Sequence, residues 1–294
     1  MRQSSTTRFA AACIAAALLF GVSACGDDDE TPAANDDTTT TVAAGDESST
    51  SSDSEGGTVT SLADLAGKRI GVQSDTTGQA YAEENKPEGA SVVAFDDTVG
   101  LFGALASGDI DAILQDFPVN AYRTIEDDTV VVVETYATDE QYGFAVAKGS
   151  ELKAELDGAL ADLRSDGTYD LLFAKYFPED GNAGPGPEAS DVEGSRTLTV
   201  CSDIPYPPME MEGDGPRGLA YTGFDIELLD AMAAELDANL EVLAVGFDGI
   251  LGNLASGTCD VVASSVTITE ERAQEVDFTE PYFDAEQSLL VPKA

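Results

Sequence analysis

The stretch DVVASSVTITEERAQEVDFTEPYF, Asp260 to Phe283, carries the pattern that decides the fold. It opens on a short apolar run, Val261-Val262-Ala263, which reads as a buried strand. A hydroxyl cluster follows: Ser264, Ser265, Thr267 and Thr269. Thr269 predicts a helix N-cap, with Glu270 and Glu271 in a first turn whose dipole favours acids. Arg272 sits at the third helical position and is the only basic residue between Gly218 and Pro292. Hydroxyls at a strand end, open N–H groups at a helix start and one guanidinium together suit a carboxylate, because arginine grips both oxygens at once. The competing reading gives Thr269 only a cap and Arg272 only a surface acid.

The chain has 294 residues and a formal net charge of −42. That length holds two modest domains, each with its own core. The charge excludes a nucleic-acid partner, since phosphate binding needs a basic footprint. Residues 26–58 contribute ten of the 56 acids and no base, so most of the excess lies beyond this segment. Histidine is absent, which removes the commonest metal ligand and the usual general base. No cofactor and no metal are expected.

Residues 1–25 read as a secretory signal. Arg2 and Arg8 form the positive start, and the apolar stretch Phe9 to Val22 is too short to span a bilayer. Val22-Ser23-Ala24-Cys25 resembles a bacterial lipobox, which would leave Cys25 as a lipid-modified N-terminal residue. Residues 26–58 are Asp, Thr, Ser, Ala and Gly and cannot bury enough surface to fold. They read as an acidic tether with an end-to-end distance of roughly 30 Å, or more if charge stretches it.

From Val59 strands and helices alternate. Strands are expected at 68–72, 91–95, 111–114 and 130–133, with helices at 79–85 and 99–106 between them. This pattern implies a parallel, doubly wound α/β sheet with ligands beyond the strand C-termini. The loop Gln73 to Gly78, with Thr76 and Thr77, and the pair Gln115-Asp116 fall on that rim. A strand at 141–147 is followed by Leu152, Leu156, Leu160 and Leu163 at helical spacing, then a helix at 169–177. Residues 181–196 are a Gly/Pro linker. A second α/β series follows: a strand at 198–200, the rim loop from Asp203 through Tyr206, a helix at 223–236, a strand at 240–245 and a helix at 249–255. Residues 104–113 and 253–262 share a helix, a Ser-Gly stop and a strand, so two similar lobes facing across a cleft are expected.

Gly223-Phe224-Asp225-Ile226-Glu227-Leu228, Thr267 to Arg272 with Val276 to Tyr282, Ser61 to Lys68 and Asp166 to Tyr169 resemble the family 3 extracellular solute-binding proteins. These are amino-acid receptors of ABC importers with the type II periplasmic-binding fold. The resemblance covers nearly all of 60–180 and 196–294, but in the opposite order, as a circular permutation would give. It implies lobe 2 at 59–137, the first part of lobe 1 at 138–180, a linker joining former termini at 181–196, and the rest of lobe 1 at 197–294. Sixteen linker residues reach at most roughly 50–55 Å. Only one covalent crossover between lobes, around Tyr136–Tyr142, is then expected. The second would be a non-covalent pairing of the C-terminal strand, giving a looser empty cleft or a domain-swapped dimer.

Carried over residue by residue, the resemblance has Arg272 clamp a ligand α-carboxylate with help from Thr267 and Ser265. Asp116 would hold the α-ammonium, and Thr77 would contact the ligand from the same lobe. Asp203, Tyr206, Phe247, Gln73 and Gln115 would shape a side-chain pocket suited to polar, cationic or amide ligands; Phe247 has an alternative place in the core. The implied partners are a free amino acid, an ABC permease and the outer face of the cell membrane through Cys25, with the protein a monomer. A dehydratase acting on arogenate or prephenate, with Asp203 as general acid, is the rival class; a ligand-sensing module is another. Cys201 and Cys259 are expected at opposite ends of neighbouring strands, too far apart to bridge.

Overall fold

A computed structural model describes residues 58–178, 181–188, 190 and 193–294. The expected signal peptide, Cys25 and the tether up to residue 57 lie outside the described residues. In chain order the elements are β1 (Arg69–Gln73), α1 (Thr77–Asn85), β2 (Ser91–Phe95), α2 (Thr98–Ser107), β3 (Ala112–Asp116), α3 (Phe117–Glu126), β4 (Val130–Tyr142), β5 (Ala145–Ala147), α4 (Leu152–Asp166) and α5 (Thr168–Tyr176). Then come β6 (Arg196–Ser202), β7 (Met211–Glu212), β8 (Tyr221–Thr222), α6 (Phe224–Glu235), β9 (Ala238–Ala244), α7 (Gly252–Ala255), β10 (Val261–Val262), α8 (Arg272–Glu275), β11 (Val276–Phe278) and β12 (Phe283–Pro292). Among the described residues no helix is long and apolar enough to cross a membrane.

Local chemistry sets the helix ends. Thr76 accepts from the Gln79 N–H at 3.0 Å and starts α1, and Asp97 accepts from the Gly100 N–H at 2.7 Å and starts α2. Each cap satisfies one of the donors a helix start leaves open. Gly108, with φ of +78°, ends α2 in the left-handed conformation that glycine adopts without cost. α3 was not expected from the sequence. Pro118 in its first turn suits a helix start, where no N–H is needed.

Two five-stranded sheets form two lobes. One has the order β2-β1-β3-β12-β4 and the other β11-β5-β10-β6-β9. β2, β1 and β3 run parallel, as do β10, β6 and β9. β12 runs antiparallel to β3 and β4, and β5 runs antiparallel to β10 and β11. Each sheet is therefore mixed rather than wholly parallel. β3 is buried along its whole length, as a strand covered on both faces must be. The first lobe packs Leu65, Ile70, Val72, Leu114 and Leu289 into one cluster. In the second, Leu156, Leu160 and Leu163 of α4 pack with Val200, Phe224, Leu228 and Val261.

The lobe boundaries expected from the sequence change at the C-terminus. Residues 283–292 do not stay with 197–282: as β12 they form an inner strand of the first lobe's sheet. The expectation of a single covalent crossover is also corrected. The chain passes between sheets from β4 to β5 and again from β11 to β12. The second passage runs through Thr279 to Tyr282, whose N–H groups bond to Phe144 O and Tyr142 O on the first passage, both at 2.9 Å. Both crossovers are covalent, and with them goes the reason to expect a looser cleft.

Cys201 and Cys259 form a disulfide with Cα atoms 5.8 Å apart, against the expectation that they lie too far apart. The reason is that β10 begins only at Val261. Cys259 precedes it in the turn after α7 and packs over the sheet face among Ile250, Leu254 and Val262, where Cys201 also points. The bridge closes a 58-residue separation, so the double substitution of both cysteines by alanine should cost about 2–4 kcal/mol of unfolding free energy. Urea unfolding checks the cost, and thiol titration of the denatured, unreduced protein should find neither Cys201 nor Cys259 free.

Candidate functional site

The C-terminal ends of the parallel strands converge on a tightly shut cavity between the lobes, whose free space of about 10 Å3 is room for roughly one water. Gln73, Thr76 and Thr77 reach it from the β1–α1 loop, and Asp116 from the end of β3. From the other lobe come Asp203 and Tyr206 after β6, Phe247 after β9, and Ser264, Ser265, Thr267 and Arg272 after β10. Strand ends expose unpaired backbone and loops at such a rim, which is why α/β sheets bind there. Nine of the ten residues expected from the sequence line this cavity. Gln115 does not: it is buried, and its Nε2 donates to Asn120 Oδ1 at 3.1 Å, on the α3 side of the sheet.

The lobes are shut against one another. Gln73 Nε2 donates to Asp203 Oδ2 at 2.5 Å. Tyr206 O–H donates to Asp116 Oδ2 at 2.8 Å, and Thr98 Oγ1 donates to Pro205 O at 2.7 Å. Arg272 Nη2 donates to Asp75 O at 2.8 Å across the same gap.

Arg272 is held in place by its own loop. Its N–H donates to Thr269 Oγ1 at 3.1 Å, so Thr269 does act as a cap. Nη1 donates to Thr267 O at 3.0 Å, and the guanidinium carbon lies 5.5 Å from the centre of the Phe247 ring. Among the described residues it makes no salt bridge. Burial pushes its pKa below the ordinary arginine value, against the pull of Asp75, Asp116, Glu140 and Glu271. A guanidinium fixed by backbone carbonyls, stacked on a ring and without a carboxylate is set to receive an anion.

Asp116 is buried, and burial raises its pKa to about 6 with a further push from Glu140. Tyr142 O–H (2.6 Å), Tyr206 O–H (2.8 Å) and Gln287 Nε2 (2.6 Å) donate to it and oppose that rise. Asp203 is likewise raised to about 6, by burial first and then by Asp97, with the Gln73 hydrogen bond opposing. Both are desolvated anions without a cation, an arrangement that favours a positively charged guest.

Glu140, on the β4 crossover, was not singled out from the sequence. It accepts from Thr77 Oγ1 at 2.7 Å and from Thr267 Oγ1 at 2.8 Å, one hydroxyl from each lobe. A hydroxyl has one proton, so both threonines turn acceptor lone pairs, not donors, toward the cavity. Gln287 and Tyr142, the other unforeseen members, also lie on or beside the crossover strands. Thr76 and Ser264 complete the lining; each belongs to a hydroxyl run visible in the sequence.

A closed cavity between two α/β lobes, with a buried guanidinium on one rim and buried carboxyls on both, is suited to holding a small charged group. Residues 198–294 match the model of the bacterial extracellular solute-binding proteins, family 3. A probable histidine-binding protein of Neisseria gonorrhoeae is 33% identical over 114 residues, 38% of this chain and 41% of that one. The arginine-binding protein 1 of an Escherichia coli ABC transporter is 35% identical over 129 residues, 42% of this chain and 52% of that one. The arginine-bound domain 1 of TmArgBP is 30% identical over 33% of this chain and 80% of that domain, with a TM-score of 0.27. The chain spans about half, or less, of the length of the curated relatives it matches.

The raised pKa of Asp203 has a sign that can be checked. Its folded value, about 6, lies above its ordinary value of 3.8, so folding takes up a proton in this window. Its contribution to stability is full below pH ~4 and is lost as pH rises through ~6. Asp203→Asn should therefore gain on wild type by on the order of 1–3 kcal/mol between those limits. Thermal unfolding of both ligand-free proteins across that range checks it.

Proposed function

We propose that this protein is an extracytoplasmic receptor that encloses one free amino acid between its lobes and delivers it to an ABC permease. The observation that carries the reading is the unpaired Arg272 guanidinium facing the buried carboxyls Asp116 and Asp203 inside one closed cavity. An amino acid presents one carboxylate to Arg272 and one ammonium to Asp116, with the hydroxyl lone pairs of Thr77 and Thr267 as further acceptors for the ammonium. Two carboxyls against one guanidinium leave an excess negative charge, which Asp203 would satisfy with a cationic or amide side chain. Gln73, Tyr206, Phe247 and the Ser265 backbone complete the wall, while Gln115 supports α3 from outside it.

Cys25 would anchor the chain by lipid to the outer face of the cell membrane, with residues 26–58 as a tether and the protein acting as a monomer. The segment order reads as a circular permutation, supported by Leu62, Leu65 and Val291 sharing one core cluster. That places the family's usual continuation from β12 beside Leu62. A dehydratase reading draws on Asp203, whose carboxyl holds its proton up to about pH 6; turnover of prephenate or arogenate decides it, and none is expected.

Calorimetric titration of residues 26–294 with each common amino acid tests the receptor reading. Micromolar or tighter binding of a few polar amino acids, cationic ones first, is expected. Arg272→Ala should weaken it at least about 30-fold, the cost of leaving a carboxylate buried without its charged partner. Because a bound cation restores ionisation of Asp116 and Asp203, affinity should rise as pH increases from about 5 to 7, with proton release on binding. No binding of any amino acid by folded protein contradicts the reading.

A further inference from the structure

Behind the cavity wall, two acidic side chains are buried against each other. Glu210 and Asp225 are wholly excluded from solvent, and neither forms a salt bridge among the described residues. Ser265 binds both: its Oγ donates to Glu210 Oε1 at 3.1 Å and its N–H to Asp225 Oδ2 at 2.8 Å. Tyr282 O–H, on the crossover between β11 and β12, donates to the same Asp225 oxygen at 2.6 Å. The two remaining oxygens, Glu210 Oε2 and Asp225 Oδ1, are buried and accept from no donor.

An oxygen left bare on each of two adjacent buried carboxyls is costly if both are ionised, and is resolved if one proton lies between them. We infer that Glu210 and Asp225 share a proton, Glu210 being the neutral acid that donates to the Asp225 carboxylate, and that this pair positions Ser265 in the cavity wall. Ser265 needs such a clamp. Its φ is +49°, a left-handed conformation that is strained for a non-glycine residue. The Ser265 N–H and hydroxyl are each spent on one member of the pair, which pins both the backbone and the side chain.

Other titratable groups around the pair reinforce the proton. Asp203 and Asp225 both push Glu210 to hold it, and burial pushes both carboxyls the same way. Tyr206 and Tyr282 are themselves held neutral well above the ordinary tyrosine range, by burial first. The positioning role rests on the receptor reading of the cavity. The shared proton does not, and is measured in the ligand-free protein.

Glu210→Gln replaces the acid by an isosteric donor, Glu210→Ala removes it, and Asp225→Ala removes the acceptor. Wild type at neutral pH should show the infrared carbonyl stretch of a buried protonated carboxyl, absent from Glu210→Gln. The melting temperature of Glu210→Gln relative to wild type should climb as pH rises from about 5 to 9, because wild-type stability is lost as Glu210 is forced to ionise and an amide cannot be. The Ser265 amide should exchange slowly in wild type and Glu210→Gln, and much faster in Asp225→Ala. With L-arginine as the probe, Glu210→Ala should weaken binding at least about tenfold and Glu210→Gln should recover most of it. An infrared spectrum unchanged by Glu210→Gln, or a parallel pH profile, overturns the shared proton. Equal losses of arginine affinity in Glu210→Ala and Glu210→Gln overturn the positioning role. Should wild type bind no amino acid at all, the receptor reading and the positioning role fall together, and the spectrum and pH profile still decide the proton.

Discussion

β4 and β12 pair antiparallel from Tyr142 opposite Phe283 to Val130 opposite Pro292, and both lobes depend on that ladder. Each strand lies in the first lobe's sheet, and each continues directly into or out of the second lobe. The two strands run side by side, and the passages at residues 143–144 and 279–282 are bonded to each other through Thr279 N–H to Phe144 O and Tyr282 N–H to Tyr142 O. The aromatic contacts of Tyr142 with Phe283 and of Phe144 with Tyr282 fill the space at this junction. Side chains on the same strands, Glu140, Tyr142 and Gln287, reach forward to Thr77, Thr267 and Asp116. The connection between the lobes and the cavity are thus built from the same two strands.

The cavity is polar in an unbalanced way. Its carboxyls are desolvated and raised in pKa, while its guanidinium is stacked and without an anion. Neutral donors, Tyr142, Tyr206, Gln287 and Gln73, hold the acids in position without cancelling their charge. Under the proposed function, such a site would spend stability when empty and regain it when a zwitterion supplied the missing charges. The Glu210–Asp225 pair lies one layer deeper and holds the wall residue Ser265.

Much of this was legible in the residues of 260–283. The apolar run corresponds to β10, and the hydroxyl cluster and the lone arginine line the cavity. Rim loops were readable because a strand followed by a polar turn and a helix has one physical outcome in an α/β sheet. Gln115 was misplaced because successive residues of a strand face opposite sides, and only tertiary packing says which of Gln115 and Asp116 turns to the cleft. Glu140 and Gln287 carry no local signal: they sit in alternating strands, and their role comes from which lobe those strands enter. The disulfide was missed because Cys259 was expected in line with the strand, whereas it lies in the turn before Val261 and packs over the sheet face beside Cys201. The second covalent crossover was missed because the C-terminal strand was assigned to the lobe that precedes it in sequence.

The most direct test of the central claim is a crystal structure of the protein grown with L-arginine. The account expects arginine between the lobes, in place of the direct contacts that now bridge them, with the ligand carboxylate on the Arg272 guanidinium, the α-ammonium against Asp116 and the side-chain guanidinium at Asp203. Arginine bound elsewhere, or bound with its carboxylate away from Arg272, would contradict it.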